Sequence, residues 1–369
     1  MEITLDITDL SRSGPGLGRD ASGRVIFVPF TAPGDKVRVE IVAHEKRYAE
    51  GKAIEFLSKS GRRAVPPCPV FGTCGGCQWQ HLPYELQWDT KKSGITHSLS
   101  RVNVETQSIP FTELPANKIW EYRNKIQLRG FGSEIGFYGR GTNQIVPIEK
   151  CFIARPEINA KISVAKEAGG NRPREYKLEL EVFPGGEVTE AWNSGHSARG
   201  FRQVHDEQNE KLKSWVAENL ELGGTLLDLY GGAGNLSLGI AQNFQEIHCV
   251  DLGAPASAPP GTPAHFHFHR SPVLEWLRKE GPSLSKCKAP IRLVLDPPRE
   301  GLGNELIPIL EILKSLPVAE TLLIGCEPDQ WARATSRFVR HGWKLEALGA
   351  LDFFPQTSHV EALAVLRKT

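Results

Sequence analysis

No apolar run in the 369-residue chain reaches the roughly 18 residues that a membrane-spanning helix needs, so a membrane helix is excluded. The opening MEITLDITDL alternates apolar and acidic residues and therefore reads as a strand, not as a signal peptide. These two absences point to the cytoplasm. An even cysteine count is lacking as well: there are seven, and in a reducing compartment a disulfide framework is not expected. Net charge is only +1, although residues 1–150 sum to about +4 and the remainder to about −3, which permits a polyanionic partner without demanding one. No internal repeat or long low-complexity tract occurs; GAPASAPPGTP is loop. What is present is the composition of a soluble globular protein, 40% hydrophobic and 24% charged, too long for one core and so divided into two or three domains.

Three regions follow. Residues 1–58 contain alternating runs (ITLDI, RVIFVPF, KVRVEIV, GKAIEFL) separated by SGPGLG, ASG and APGD, the pattern of short strands in a five-stranded OB-type barrel. A β-module with some other partner fits the same pattern. The string from Asp9 through SGPGLGR to VIFVPFTAPGDKV, then KRY, resembles a TRAM domain, and the resemblance implies RNA binding. Residues 59–200 read as a central mixed α+β unit holding a cysteine cluster and the basic, aromatic segment WEYRNKIQLRGFGSEIGFYGRG. Its Tyr122-Arg123-Asn124-Lys125 could meet phosphates or could simply be solvated. From 201 to 369, strands (TLLDLY, EIHCVD, AHFHFH, IRLVLD, TLLIGC) alternate with helical patterns (NLSLGIAQN, SPVLEWLRKE, NELIPILEILKSL, PDQWARATSRFVRHG), which predicts a doubly wound, Rossmann-like α/β sheet.

Ligands of such sheets gather at the carboxyl ends of the strands. The first strand runs into DLYGGAGN, residues 228–235, a glycine turn that lets backbone approach a ligand. The second ends in Val250-Asp251, where an acid can accept both ribose hydroxyls. The turn is not G-x-G-x-x-G, and acidic surroundings suit the positive sulfonium of S-adenosylmethionine better than the phosphates of NAD. The fifth strand ends at Cys326, before a helix whose N-terminus would lower the thiol pKa; an inert strand-end cysteine is the alternative.

Motifs in a fixed order resemble the RNA uracil-C5 methyltransferases of the TRAM and iron–sulfur type. They are the TRAM-like start, CPVFGTCGGCQWQH, YRNK, FRQV, DLYGGAGN, DPPREG, the Cys-x-Pro of GCEP, and HVEA. The resemblance implies methyl transfer from S-adenosylmethionine to C5 of a uridine in structured RNA, 23S rRNA ahead of tRNA, by a monomer. A catalytically impaired RNA-binding homologue is the rival of another class. The chemistry calls for a thiolate that adds at C6 and a base that later removes the C5 proton. By resemblance these are Cys326 and Glu361, with Gln203, Tyr230, Asn235, Asp251 and Asp296 at the methyl donor. Cys68, Cys74, Cys77 and Cys151 form a four-thiolate set that suits zinc or an iron–sulfur cluster on ligand count, and the resemblance favours [4Fe–4S].

The chain departs from the family pattern at four places. His205 stands two residues after Gln203, where the family has Asn, and Glu327 adds a carboxylate beside the thiol that would oppose its ionisation unless it points away. A loop beginning at Leu252 replaces a helix, and Arg270-Ser271 stand where an acid is expected. His265, His267 and His269 alternate along one face of a strand and are spread over about 13 Å, which favours a half-exposed or packed face over a metal site.

Overall fold

The computed structural model describes residues 1–170, 172–194 and 201–368 and contains three sheets among them. The first holds β1 (Glu2–Asp6), β2 (Asp9–Leu10), β3 (Gly16–Arg19), β4 (Val25–Val28), β5 (Lys36–His44) and β6 (Tyr48–Ser58), in the order β1-β5-β6-β4-β3-β2. It has six strands where five were expected; β2 and β3 lie outside the four runs, and β3 begins inside SGPGLG, which reads as a turn. Alternation decides what it buries: in KVRVE of β5, Val37 and Val39 turn inward to meet Leu5, Ile7, Ile26 and Val28.

Helix α1 (Tyr84–Arg101) and β7 (Phe111–Leu114) come next. Both lie in the 59–200 segment, yet β7 joins the C-terminal sheet and α1 packs on a helix of that region. The rest of the segment forms an antiparallel sheet of β8 (Lys125–Phe131), β9 (Glu134–Tyr138), β10 (Ile145–Pro147), β11 (Tyr176–Val182) and β12 (Val188–Trp192), ordered β10-β9-β8-β11-β12. Helix α2 (Pro156–Gly169) covers it with Ile158, Ile162 and Ala165. The boundary expected at 200 falls outside the described residues.

The third sheet follows α3 (Asp206–Asn219) and comprises β13 (Thr225–Leu229), β14 (Glu246–Asp251), β15 (Phe266–Arg270), β16 (Ile291–Leu295), β17 (Val318–Gly325), β18 (Trp343–Leu351) and β19 (Glu361–Lys368). With β7 its order is β15-β14-β13-β16-β17-β19-β18-β7. The run from β15 to β17 is parallel, and β19 lies antiparallel between β17 and β18. Helices α4 (Val273–Leu284), α5 (Leu306–Ser315) and α6 (Pro328–Arg340) connect the strands. TLLDL and IRLVL are buried at every position, as expected of strands covered on both faces. NLSLGIAQN, expected as a helix, forms only a 3-10 helix at Leu238–Asn243, and a loop does replace the helix after Leu252. No described helix is long and apolar enough to cross a membrane.

Candidate active site and cysteine cavity

Tyr230, Asp251, Asp296 and Cys326 each follow or close a parallel strand, so all stand at one edge of the large sheet. Tyr230 takes the left-handed conformation (φ 63°) that turns the chain sharply out of β13, and its hydroxyl donates to Glu305 at 3.0 Å. At Gly231 a Cβ would lie 2.5 Å from the Asp228 carboxyl carbon and 2.7 Å from Cys249 Sγ, so only glycine fits this close approach. Asp251 is anchored within its own loop, accepting the Gly253 N–H. Asn235 exchanges two hydrogen bonds with Asn209, at 3.0 and 2.8 Å, which brings the start of α3 beside the glycine turn. Gln203 is buried just before α3, its carbonyl accepting Asn124 Nδ2 at 2.9 Å, and it is not part of the strand-end row. His205 is a buried structural residue that stacks on Tyr122 with ring centroids 4.7 Å apart.

Glu361 reaches this edge from the opposite direction. Gly325 pairs with Ala362 across β17 and β19, so one further step of that register sets Cys326 beside Glu361. The Glu361 side chain is buried, and its Oε2 has no hydrogen-bond partner. Burial pushes the Glu361 carboxyl well above its ordinary range and the Asp296 charge adds to the effect, while Arg299 opposes it. Asp296 is pushed up to about 7 by burial and by Asp228. Asp228, fully buried inside β13, is pushed up to about 6 by the same desolvation, against its bond from Ser237.

The thiol differs from expectation. Cys326 is pushed up to about 12, first by burial and then by Glu361 and Asp296, with Arg299 pulling the other way. Desolvation and two buried carboxylates outweigh the N-terminus of α6. Glu327 stands at the N-cap position of α6 with its side chain exposed, and the carboxylates that act on the thiol are Glu361 and Asp296. Arg299 and His359 are residues that the sequence reading did not single out. His359, in the loop ahead of Glu361, is held down to about 4 by burial and by the cations Arg299, Lys91 and Arg123.

Cys68, Cys74, Cys77 and Cys151 are all free and line one cavity of about 220 Å³. The two glycines serve the turn: Gly75 N–H donates to Tyr138 O at 3.0 Å, and Gly76 N–H points at Cys74 Sγ at 3.4 Å. Asn159 grips Cys151 by both backbone groups, at 2.8 and 3.0 Å. Among the described residues, no three His, Cys, Asp or Glu side chains converge closely enough to hold a single metal ion. Of the alternating histidines, His267 and His269 lie against His248 of β14, with His248 Nδ1 and His269 Nε2 3.0 Å apart and Trp276 packed on both of those rings, whereas His265 meets the Ala241 carbonyl at 2.9 Å.

The TRAM domain family matches residues 1–54. Along 99% of its length the chain is 29% identical to an uncharacterized RNA methyltransferase of Bdellovibrio bacteriovorus, of which it covers 95%. The chain is a relative of RNA methyltransferases. It is also 26% identical to the 23S rRNA (uracil(1939)-C(5))-methyltransferase RlmD of Chromohalobacter salexigens, over 99% of this chain and 89% of that one. Its fold is that of the Pyrococcus abyssi tRNA (uracil-54, C5)-methyltransferase, solved in complex with S-adenosyl-L-homocysteine: TM-score 0.72, 21% identity, 98% of this chain and 99% of that chain. This RNA-methyltransferase relative therefore combines a TRAM domain with a methyltransferase-type sheet.

Proposed function

We propose that the protein transfers a methyl group from S-adenosylmethionine to C5 of a uridine in structured RNA, with 23S rRNA the favoured substrate. The observation that carries this reading is the meeting of Cys326, Asp296 and Glu361 at the carboxyl edge of the sheet, beside a glycine turn and Asp251. The 23S rRNA relatives support the choice of RNA. Tyr230, Asn235, Asp251, Asp296 and Gln203 hold the donor, which supplies an electrophilic methyl. Buried acids on this edge suit its positive sulfonium.

The Cys326 thiol gives up its proton to solvent and its sulfur bonds to C6, which places the electron pair at C5; C5 then takes the methyl as the sulfonium S–CH3 bond breaks and S-adenosylhomocysteine leaves. Glu361 then accepts the C5 proton; the pair returns to re-form the C5–C6 double bond, and the C6–S bond breaks to release Cys326. A carboxylate held well above its ordinary pKa is a stronger base than a solvated one, which suits this step.

Cys68, Cys74, Cys77 and Cys151 would hold a [4Fe–4S] cluster as a structural clamp. Four thiols that line one cavity of about 220 Å³ meet the ligand count of such a cluster. Anaerobic purification should give a brown protein with iron and sulfide in equal amounts; a colourless protein with stoichiometric zinc refutes the cluster.

The function is tested with 5-fluorouridine RNA, which cannot surrender a C5 proton. A covalent RNA–protein adduct that Cys326→Ala abolishes is expected. Its absence in the unmodified protein, with unchanged 5-methyluridine in rRNA and tRNA of a deletion strain, refutes the reading and favours an RNA-binding role.

A further inference from the structure

The loop between β18 and β19 carries His359 and delivers Glu361, yet little of its path is its own doing. At its centre Gln356 sits at φ 69°, a left-handed conformation that a residue with a Cβ keeps only when its surroundings impose it. The imposing groups come from one distant segment. Gln87, fully buried in α1, accepts the Gln356 N–H at 2.9 Å and donates to Gln356 Oε1 at 3.1 Å. The Gln356 carbonyl accepts the N–H groups of both Gln78 and Trp79, each at 3.0 Å. The same Gln87 amide donates to Trp79 O at 3.2 Å and Leu82 O at 2.9 Å, so clamp and clamped share one buried network. Tyr122 holds the neighbouring Pro355 carbonyl at 3.0 Å.

We infer that Gln87, with the Gln78–Trp79 backbone, is a positioning element that holds Gln356 in its left-handed turn and thereby sets Glu361 against Cys326. Gln78 follows Cys77 directly, so the wall of the cysteine cavity and the active-site loop are one hydrogen-bonded unit. The inference rests on the reading of Glu361 as the proton acceptor. If Gln87 only stabilised the fold, its loss would lower the number of competent molecules. If it positions Glu361, its loss slows the release step selectively, since formation of the Cys326–C6 bond does not use the C5 proton.

The test compares the full-length protein with Gln87→Leu and, should that variant fold poorly, Gln87→Glu, which keeps the size and one acceptor. Hydrogen exchange of the amides of residues 353, 354 and 356–360 should quicken by about tenfold, the effect of losing roughly one buried hydrogen bond, while β13 amides hold the unmodified rate. Turnover should fall by about as much at unchanged S-adenosylmethionine affinity, with a covalent adduct accumulating on ordinary uridine RNA. Unchanged exchange in 353–360, or lost turnover without adduct, overturns the inference. If the unmodified protein forms the 5-fluorouridine adduct and Gln87→Leu clears its uridine adduct at the normal rate, positioning alone fails. If the unmodified protein forms no adduct, the proposed function falls and this inference with it.

Discussion

The environment of Cys326 makes a quantitative demand on its reactivity. A thiol raised from 9.0 to about 12 carries about a thousandfold less thiolate at neutral pH than an ordinary one. The thiolate that does form is more nucleophilic, by a factor of about fifteen to thirty for a Brønsted slope of 0.4–0.5. Cys326 should therefore react with a small aromatic disulfide about thirty- to sixtyfold more slowly than an exposed cysteine, followed by peptide mapping. The logarithm of its rate should climb with unit slope through pH 10 without a plateau. Glu361→Gln removes the largest charge opposing ionisation and should quicken the reaction at fixed pH, whereas Glu327→Gln, an exposed site, should not. A plateau near pH 8 or below would mean that the α6 N-terminus governs the thiol after all, and would refute the argument from burial.

Three further outcomes follow from buried groups. Asp296 has a folded pKa of about 7 against an ordinary 3.8, so it binds its proton more tightly folded than unfolded; that stability is present at low pH and lost as pH rises through 7. Asp296→Asn should then stabilise the ligand-free protein at pH 8 relative to pH 5, by about 1–3 kcal/mol in denaturant melts, and an equal effect at both pH values would refute this. Lys91 and Asp352 form an ion pair at 2.7 Å with both side chains fully buried, so Lys91→Met should cost about 3–5 kcal/mol and Lys91→Met/Asp352→Asn markedly less, additive costs being the contrary result. Gly231→Ala would drive a Cβ into Asp228 and Cys249, costing about 1–3 kcal/mol and weakening S-adenosylmethionine binding by calorimetry; unaltered binding would remove this turn from the donor site.

Strand ends were legible because apolar runs stop where chemistry begins, so Tyr230, Asp251 and Cys326 could be placed at one edge from periodicity alone. Glu361 could not; its position depends on β19 entering between β17 and β18, which no local pattern encodes, and only the family resemblance named it. The direction of the Cys326 shift was misjudged for the same reason. A helix N-terminus is visible in sequence, whereas carboxylates folded in from segments 30 residues before and 35 after are not. NLSLGIAQN failed as a helix because the turn around Gly234 (φ 78°) and the central Gly239 leave room for only a 3-10 helix. The pairs Gln87–Gln356 and Lys91–Asp352 span 269 and 261 residues and left no sequence signal at all.

The reversed strand explains why the site can hold both a nucleophile and a base. In a parallel sheet the functional edge collects the residues that end strands, and each of those is followed by a loop free to vary. A strand running the other way presents its first residue at that same edge, with its pairing already begun. Glu361 is such a residue: Ala362 is fixed opposite both Gly325 and Ala350, so Glu361 can be misplaced only through the loop that precedes it. That loop is held by residues 78–91 and Tyr122, which lie outside the sheet. Burying Asp296 and Glu361 beside Cys326, with Asp228 acting on Asp296, is unfavourable, as their raised pKa values record. Under the proposed function the cost falls when a sulfonium and a uracil ring occupy the edge, so donor and RNA should each bind more tightly in the other's presence.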